Sequence, residues 1–475
     1  MLNTQVIEQL RGIVGHAGVV SHPAELIVYE CDGYTLEKSV PEVVVLPRST
    51  EEVSAILKLL HKEKIPFVPR GAGTGLSGGC LPVEAPVMIC TSRMDKILHI
   101  DLLNRRLIAQ TGVVNLWVSN AVKDKGLQYA PDPSSQPACT IGGNISENSG
   151  GPHTLKYGVT TNHVLGVELV LPDGEVVSLG GMVEDVPGYD LRGVTVGSEG
   201  TFGIVTQAVL RLVRLPQAYR TFLAVFNSVE DATQTVSGII ARGIVPAALE
   251  MMDNLIIQAV EAAFHFGFPT DAGAVLIIEL DGLEAGLNPL ATRVLEVCRE
   301  NHAREVRVAR DDAERMALWK SRKRAFGAVG RLAPNYCTQD GVVPRTKVPD
   351  ILRIISQVGE KYHLRIANVF HAGDGNIHPI ILYDERNQDE VERVLKAGAE
   401  ILRACVDLGG SITGEHGIGV EKMHQLPLIF SPEDLMVMSQ LRSVFDPDNL
   451  CNPHKIFPTS GIHTDVRTPK RQVPL

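Results

Sequence analysis

Three short segments in the C-terminal half of this 475-residue chain hold residue types that can do chemistry. In "HAGDGNIHP", His371 and His378 flank a Gly-Asp-Gly core, a strong turn signal. If that turn reverses the chain, the two imidazoles end on one side and close together. "TGEHGIG" follows, with Glu415 next to His416. Two imidazoles and a carboxylate suit zinc, iron or manganese and leave open positions for a substrate. The residues alone equally allow hydrogen-bonded loop or core histidines. In "LWKSRKRAFG", the fork of Arg322 can grip a carboxylate at two points. With Lys320, Lys323 and Arg324 beside it, the same stretch also reads as a solvated basic helix face.

A fourth feature lies far upstream. "GTGLSG", residues 73–78, matches the dinucleotide fingerprint G-x-G-x-x-G. A Rossmann turn requires a helix to open at its last glycine. Here Pro82 and Pro86 follow instead, and proline inside a helix costs about 3 kcal/mol or more. The next readable element, "APVMICTS", is a strand. The glycine loop must therefore cradle phosphate with its own amides. Two more polar, glycine-rich segments, residues 130–158 and 197–205, lie in the same region. Together the three favour one long, phosphate-bearing dinucleotide.

These groups need elements to hold them. "STEEVSAILKLLHKEK" opens with a capping signature and has helical periodicity, between strand candidates "PEVVVLP" and "IPFVP". Short strands and turns follow to about residue 215, with a hairpin at Pro172-Asp173-Gly174. This region is α+β and not a run of βαβ units. Beyond 216, strands such as "RTFLAVF", "PAALEMM" and "AVLIIELDG" alternate with helices over 254–265, 284–301, 311–327 and 349–363. That texture predicts a second domain whose sheet is covered on one face. Helices over 386–408 and 432–446 complete the reading, and the tail after 458 is expected to be loose.

Bulk composition narrows the function classes. Hydrophobic residues make up 44% and charged residues 21%, which is ordinary for a globular protein. The net charge of −10 and the absence of a basic tract argue against nucleic acid. The N-terminus lacks the apolar core of a secretory signal, and no apolar run suits a membrane-spanning helix. The eight cysteines form no C-x-x-C, which points to reduced thiols in a cytoplasmic protein.

The ordered set "PRGAGTGLSGG", "PDPSS", "GGN", "KYG", "GSEGTFGIVT" and "NPHKIFP" resembles the FAD-linked oxidases of the vanillyl-alcohol oxidase and p-cresol methylhydroxylase (PCMH) type, over residues 38–458. "HAGDGNIHP" and "GEHGIG" narrow the resemblance to the D-2-hydroxyacid dehydrogenase branch. Stretches such as "EMMDN" and "FDPDNLCNP" are most like the FAD-linked subunits of bacterial glycolate oxidases. The resemblance implies a two-subdomain, PCMH-type FAD domain over 1–215 and an α/β cap with an antiparallel sheet over 216–425. A helical segment, 426–458, would return to the flavin, leaving 459–475 as a tail.

It implies FAD contacts at Arg70, Gly71, Ala72, Gly73, Thr74, Gly75, Leu76 and Ser77. Further contacts fall on Pro131, Asp132, Pro133 and Ser134, on Gly142, Gly143, Asn144 and Ser149, and on Glu199, Gly200, Gly203, Ile204 and Asn452. The glycine loop has no histidine, so noncovalent FAD is expected. The resemblance further implies a divalent metal (Zn, Fe or Mn) on His371, His378 and Glu415. His416 would be the general base, Arg322 the carboxylate anchor, and Asn376 a substrate contact.

The implied reaction is oxidation of a 2-hydroxyacid to the 2-oxoacid, with hydride passing to the flavin. D-2-hydroxyglutarate dehydrogenases carry a polar residue where this chain has Ile380 and a lysine near the position of Thr338. Both departures remove grips for a second carboxylate, so glycolate or D-lactate is preferred. Electrons would leave through a second FAD-binding subunit and an iron–sulfur subunit, with peripheral association at the inner membrane. A stand-alone D-lactate dehydrogenase, then a D-2-hydroxyglutarate dehydrogenase, and from another class a non-catalytic FAD-binding subunit, are the competing readings.

Overall fold

The helix Thr50–Lys62 forms where the sequence signals it. The Ser49 hydroxyl accepts the Glu52 N–H at 3.3 Å, Glu51 and Glu52 occupy the first turn, and His61 and Lys62 the last. Its buried stripe, Val53, Ile56, Leu57 and Leu60, packs on strands Val43–Val45 and Phe67–Arg70. The computed structural model describes residues 2–184 and 187–458; the expected loose tail, 459–475, lies outside them.

Strands Val43–Val45 and Phe67–Arg70 both pair in parallel with Val87–Cys90, and Val19–Val20 completes a four-stranded sheet. No helix follows Gly78; residues 71–86 run as loop and turn into the strand Val87–Cys90. A second, five-stranded antiparallel sheet holds Ile97–Asp101, Arg106–Gln110, Ile204–Arg211, Val164–Val170 and Val176–Gly180, in that spatial order. The last two strands form the hairpin read at Pro172-Asp173-Gly174.

Beyond residue 217 an eight-stranded antiparallel sheet dominates. Helices Val229–Ala241, Glu284–Glu300, Val348–Tyr362 and Gln388–Asp407 pack on the face carrying Phe222, Ala224, Phe226, Leu276 and Ile278. Helices Asn254–Phe264 and Ala325–Val329 pack on the opposite face, against Leu223, Val225, Val275 and Ile277. The expectation of a sheet covered on one face is thus corrected. The first five residues of "AVLIIELDG" are continuously apolar, not alternating, and a strand of that kind must bury both faces.

The C-terminal segment returns to the first sheet. Phe67 donates its N–H to the Leu450 carbonyl at 2.9 Å and accepts the Asn452 N–H at 2.8 Å, closing the free edge of Phe67–Arg70. The rings of Phe202 and Phe445 stack at 4.3 Å. Among the described residues, no helix is long and apolar enough to cross a membrane.

Candidate active site

The predicted turn in "HAGDGNIHP" is the tip of a hairpin between strands Arg365–His371 and Asn376–Tyr383. His371 pairs with Asn376 and Val369 with His378, so both imidazoles project from one face. Their ring centroids lie 5.1 Å apart. Glu415 Oε1 reaches both, at 3.0 Å from His371 Nε2 and 3.3 Å from His378 Nε2. One ligand atom from each of the three falls within 4.8 Å of the others, and Asp340, His378 and His416 form a second, overlapping set. The donor chemistry, two imidazoles and one carboxylate, fits a divalent transition metal.

Residues the sequence did not single out support this cluster. Glu250 Oε1 lies 2.7 Å from His371 Nδ1, fixing the ring as a carboxylate behind a liganding histidine does. Burial disfavours a charged His371, yet Glu250 and Glu415 hold its pKa well above the ordinary value. Burial works against the Glu415 carboxylate too, but His371 and His378 outweigh it and pull its pKa well below the usual range. Burial lowers His416 to about 4, with His378 and Lys422 adding to the effect and Asp340 opposing it. His416 is therefore a neutral imidazole near pH 7. Its ring stacks on His378 at 4.9 Å, and its buried Nδ1 has no hydrogen-bond partner.

These groups form one end of a cavity of about 360 Å³ between the sheet domain and the glycine loops. Residues 70–76 line its other end, with Pro133, Ser134, Gly142, Gly143, Asn144, Ser149, Glu199, Gly200, Gly203 and Ile204. Among the described residues, no backbone N–H of 72–76 is donated to another protein group. The buried atoms Asp32 Oδ2 and Glu147 Oε2 also lack partners. An amide-lined cradle with unsatisfied polar atoms fits a pyrophosphate-bearing dinucleotide.

Several expected contacts stand elsewhere. Ser77 and Asn452 are buried behind the wall, and Pro131 does not line it. Asp132 turns away, with Oδ2 at 2.9 Å from His153 Nδ1. Asn376 packs against Gly414 and does not face the cavity. Arg322 is 1% exposed and also off the wall; its Nη2 lies 2.7 Å from Glu250 Oε2. That approach lacks hydrogen-bond direction, so all three guanidinium nitrogens remain unsatisfied. Ile380 does not reach the cavity either. It is fully buried in the apolar core opposite Thr338, its cross-strand partner.

The sequence reading missed Lys323, Phe326 and Tyr336, which line the cavity near the histidines. Lys323 and Phe326 lie beside Arg322 in the same motif, "LWKSRKRAFG". Asp340 and Glu250 carried no local signal, because only the folded sheet brings them to the cluster.

A glycine-cradled dinucleotide site facing a His/Glu cluster across two domains defines a cofactor-dependent redox protein. Residues 215–456 match the model for "FAD linked oxidases, C-terminal domain", and residues 41–180 match "FAD binding domain". The chain belongs to the FAD-linked oxidase family, and its cofactor is FAD. It is 46% identical to the glycolate oxidase subunit GlcD of Escherichia coli K12 over 456 residues, covering 96% of this chain and 91% of the relative. It is 34% identical to a D-lactate dehydrogenase of Anaerostipes hadrus, over 88% and 90% of the two chains. The solved structure of p-cresol methylhydroxylase with substrate bound has the same fold, at a TM-score of 0.80 and 16% identity, over 95% of this chain and 96% of that one.

Proposed function

We propose that the protein oxidises a short 2-hydroxyacid, glycolate or D-lactate, to glyoxylate or pyruvate. The observation that carries this reading is the single cavity shared by the glycine loops and the His371–His378–Glu415–His416 cluster. Residues 1–215 bind FAD noncovalently, 216–425 bring the substrate groups, and 426–458 close the cofactor site.

FAD supplies the two-electron acceptor for the substrate hydride. A Zn, Fe or Mn ion on His371, His378 and Glu415 would acidify the substrate hydroxyl as a Lewis acid. His416, neutral and unpartnered at Nδ1, receives the hydroxyl proton. The Arg322 guanidinium, behind the wall with unsatisfied donors, would have to leave Glu250 and enter the cavity to take the substrate carboxylate. Lys323 presents a second cation on the wall.

Electrons then pass to partner subunits, one flavin-binding and one iron–sulfur, at the cytoplasmic face of the inner membrane. The word "subunit" in the name of the 46% identical relative supports this assembly. The test is anaerobic mixing of the purified flavoprotein with glycolate, with the flavin absorbance followed in time. Bleaching on the turnover timescale is expected; a spectrum unchanged by both acids would sink the reading.

A further inference from the structure

The segment carrying Glu415 and His416 is held from two sides, by carboxylates of different domains. Asp340, on the sheet domain, accepts four hydrogen bonds at Oδ2: from Thr413 Oγ1 at 2.6 Å and from the N–H groups of Gly414, Glu415 and His416 at 2.9, 3.1 and 2.9 Å. Glu199, on the FAD domain, accepts the next two: Ile418 N–H on Oε1 at 2.7 Å and Gly419 N–H on Oε2 at 2.6 Å. The Ser77 carbonyl, in the glycine loop, takes the N–H groups of Val420 and Glu421 at 3.0 and 3.2 Å.

Gly417 separates the two halves. Its φ of +87° suits glycine, and an added Cβ would stand 2.3 Å from Glu147 Oε2 and 3.0 Å from Glu199 Oε1. Glu199 is itself fixed. It is 7% exposed, has a φ of 51°, donates its N–H to the Ser146 carbonyl at 2.8 Å, and offers its own carbonyl to Asn452 Nδ2 at 2.8 Å. A non-glycine residue in that backbone region is uncommon and persists where surrounding contacts impose it.

We propose that Glu199, beyond lining the FAD cavity, is a positioning residue for the 413–421 loop. Its carboxylate registers Glu415 and His416 against the FAD domain, while Asp340 registers them against the sheet. This inference rests on the reading that the loop carries the metal ligand and the base. The chemistry of the site also dictates the carboxylate. The two N–H groups here meet different oxygens of Glu199, so an amide would set an NH2 group against one of them.

The experiment compares Glu199→Gln, Glu199→Asp and His416→Ala holoproteins with the parent by amide hydrogen exchange, metal content after dialysis, FAD absorbance ratio and anaerobic flavin reduction. In Glu199→Gln, exchange across 413–421 should accelerate by about tenfold or more, the loss expected for a charge-assisted hydrogen bond. Metal content and kcat should fall, while FAD stoichiometry and KM hold. Glu199→Asp, which keeps both acceptors, should restore part of each. Loss of FAD with loop exchange unchanged would overturn the proposal and leave Glu199 a cofactor contact only. Unchanged exchange and metal content in both Glu199 variants would overturn it as well. Failure of the underlying reading has its own signature, an undiminished rate of flavin reduction in His416→Ala.

Discussion

Arg322 Nη2 lies 2.7 Å from Glu250 Oε2, yet neither atom completes a hydrogen bond. A buried guanidinium in that condition is stabilised by any planar carboxylate that reaches it. Arg322→Lys keeps the charge and loses the fork. KM for glycolate should rise about ten- to hundredfold, the value of a charge-assisted bidentate contact. FAD content should hold. Steady-state kinetics with an absorbance ratio check both, and an unchanged KM would remove Arg322 from substrate binding.

Glu250 faces the cluster with its other oxygen, 2.7 Å from His371 Nδ1. Glu250→Gln preserves volume and removes the charge that orients the ring. Metal affinity should drop by about 10–100-fold. Elemental analysis after dialysis against a graded chelator measures it. Retention equal to the parent would separate Glu250 from the metal site.

A pH dependence follows from the junction between the domains. His153 Nδ1 pairs with Asp132, and Nε2 lies 3.5 Å from Glu279 Oε1. Burial opposes its charge, but the two carboxylates outweigh this and raise its pKa from 6.5 to about 10. Folded His153 thus keeps a proton that the unfolded chain loses. The stability it contributes is complete below pH 6.5 and is lost as pH rises toward 10. Glu279 has the opposite sign: burial raises its pKa, but His153 and Arg315 bring it from 4.5 down to about 2, so its contribution is lost on acidification through that range. His153→Gln should flatten the decline in Tm between pH 6.5 and 10, measured by calorimetry across that window.

Substrate size gives a fourth test. Glycolate and D-lactate should bleach the flavin, and D-2-hydroxyglutarate should not. Ile380→Asn should not broaden this preference, because Ile380 is a core residue. It should destabilise the fold by about 2–4 kcal/mol, as expected for an unsatisfied polar group in an apolar core. Denaturant melts and anaerobic spectra of the one variant report both quantities. Gain of hydroxyglutarate oxidation without loss of stability would restore Ile380 to the substrate site.

Local chemistry was the legible part of this molecule. The helix Thr50–Lys62, the hairpin tip between His371 and His378, and the helix-free glycine loop all follow from short-range rules. The double cover of the large sheet was written in its continuous apolar strands but was read as single. What no window of sequence holds is convergence. Glu250 stands 121 positions from His371, and Glu199 stands 219 from Ile418. Their carboxylates are ordinary until the sheets carry them to one place. Arg322 shows the converse: its motif was plain, but its depth behind the wall depended on packing.

The edge pairing of Phe67 with residues 450–452 sets a timetable for the nascent chain. The strand leading into the glycine loop emerges from the ribosome long before its bonding partner at 450–452. Asn452 also ties Gly79 to Glu199, so both walls of the cradle wait for the same late residue. The cradle therefore reaches its final geometry only once residues 450–452 have been made. A product stalled short of residue 450 would carry the glycine loops without the residue that ties them together.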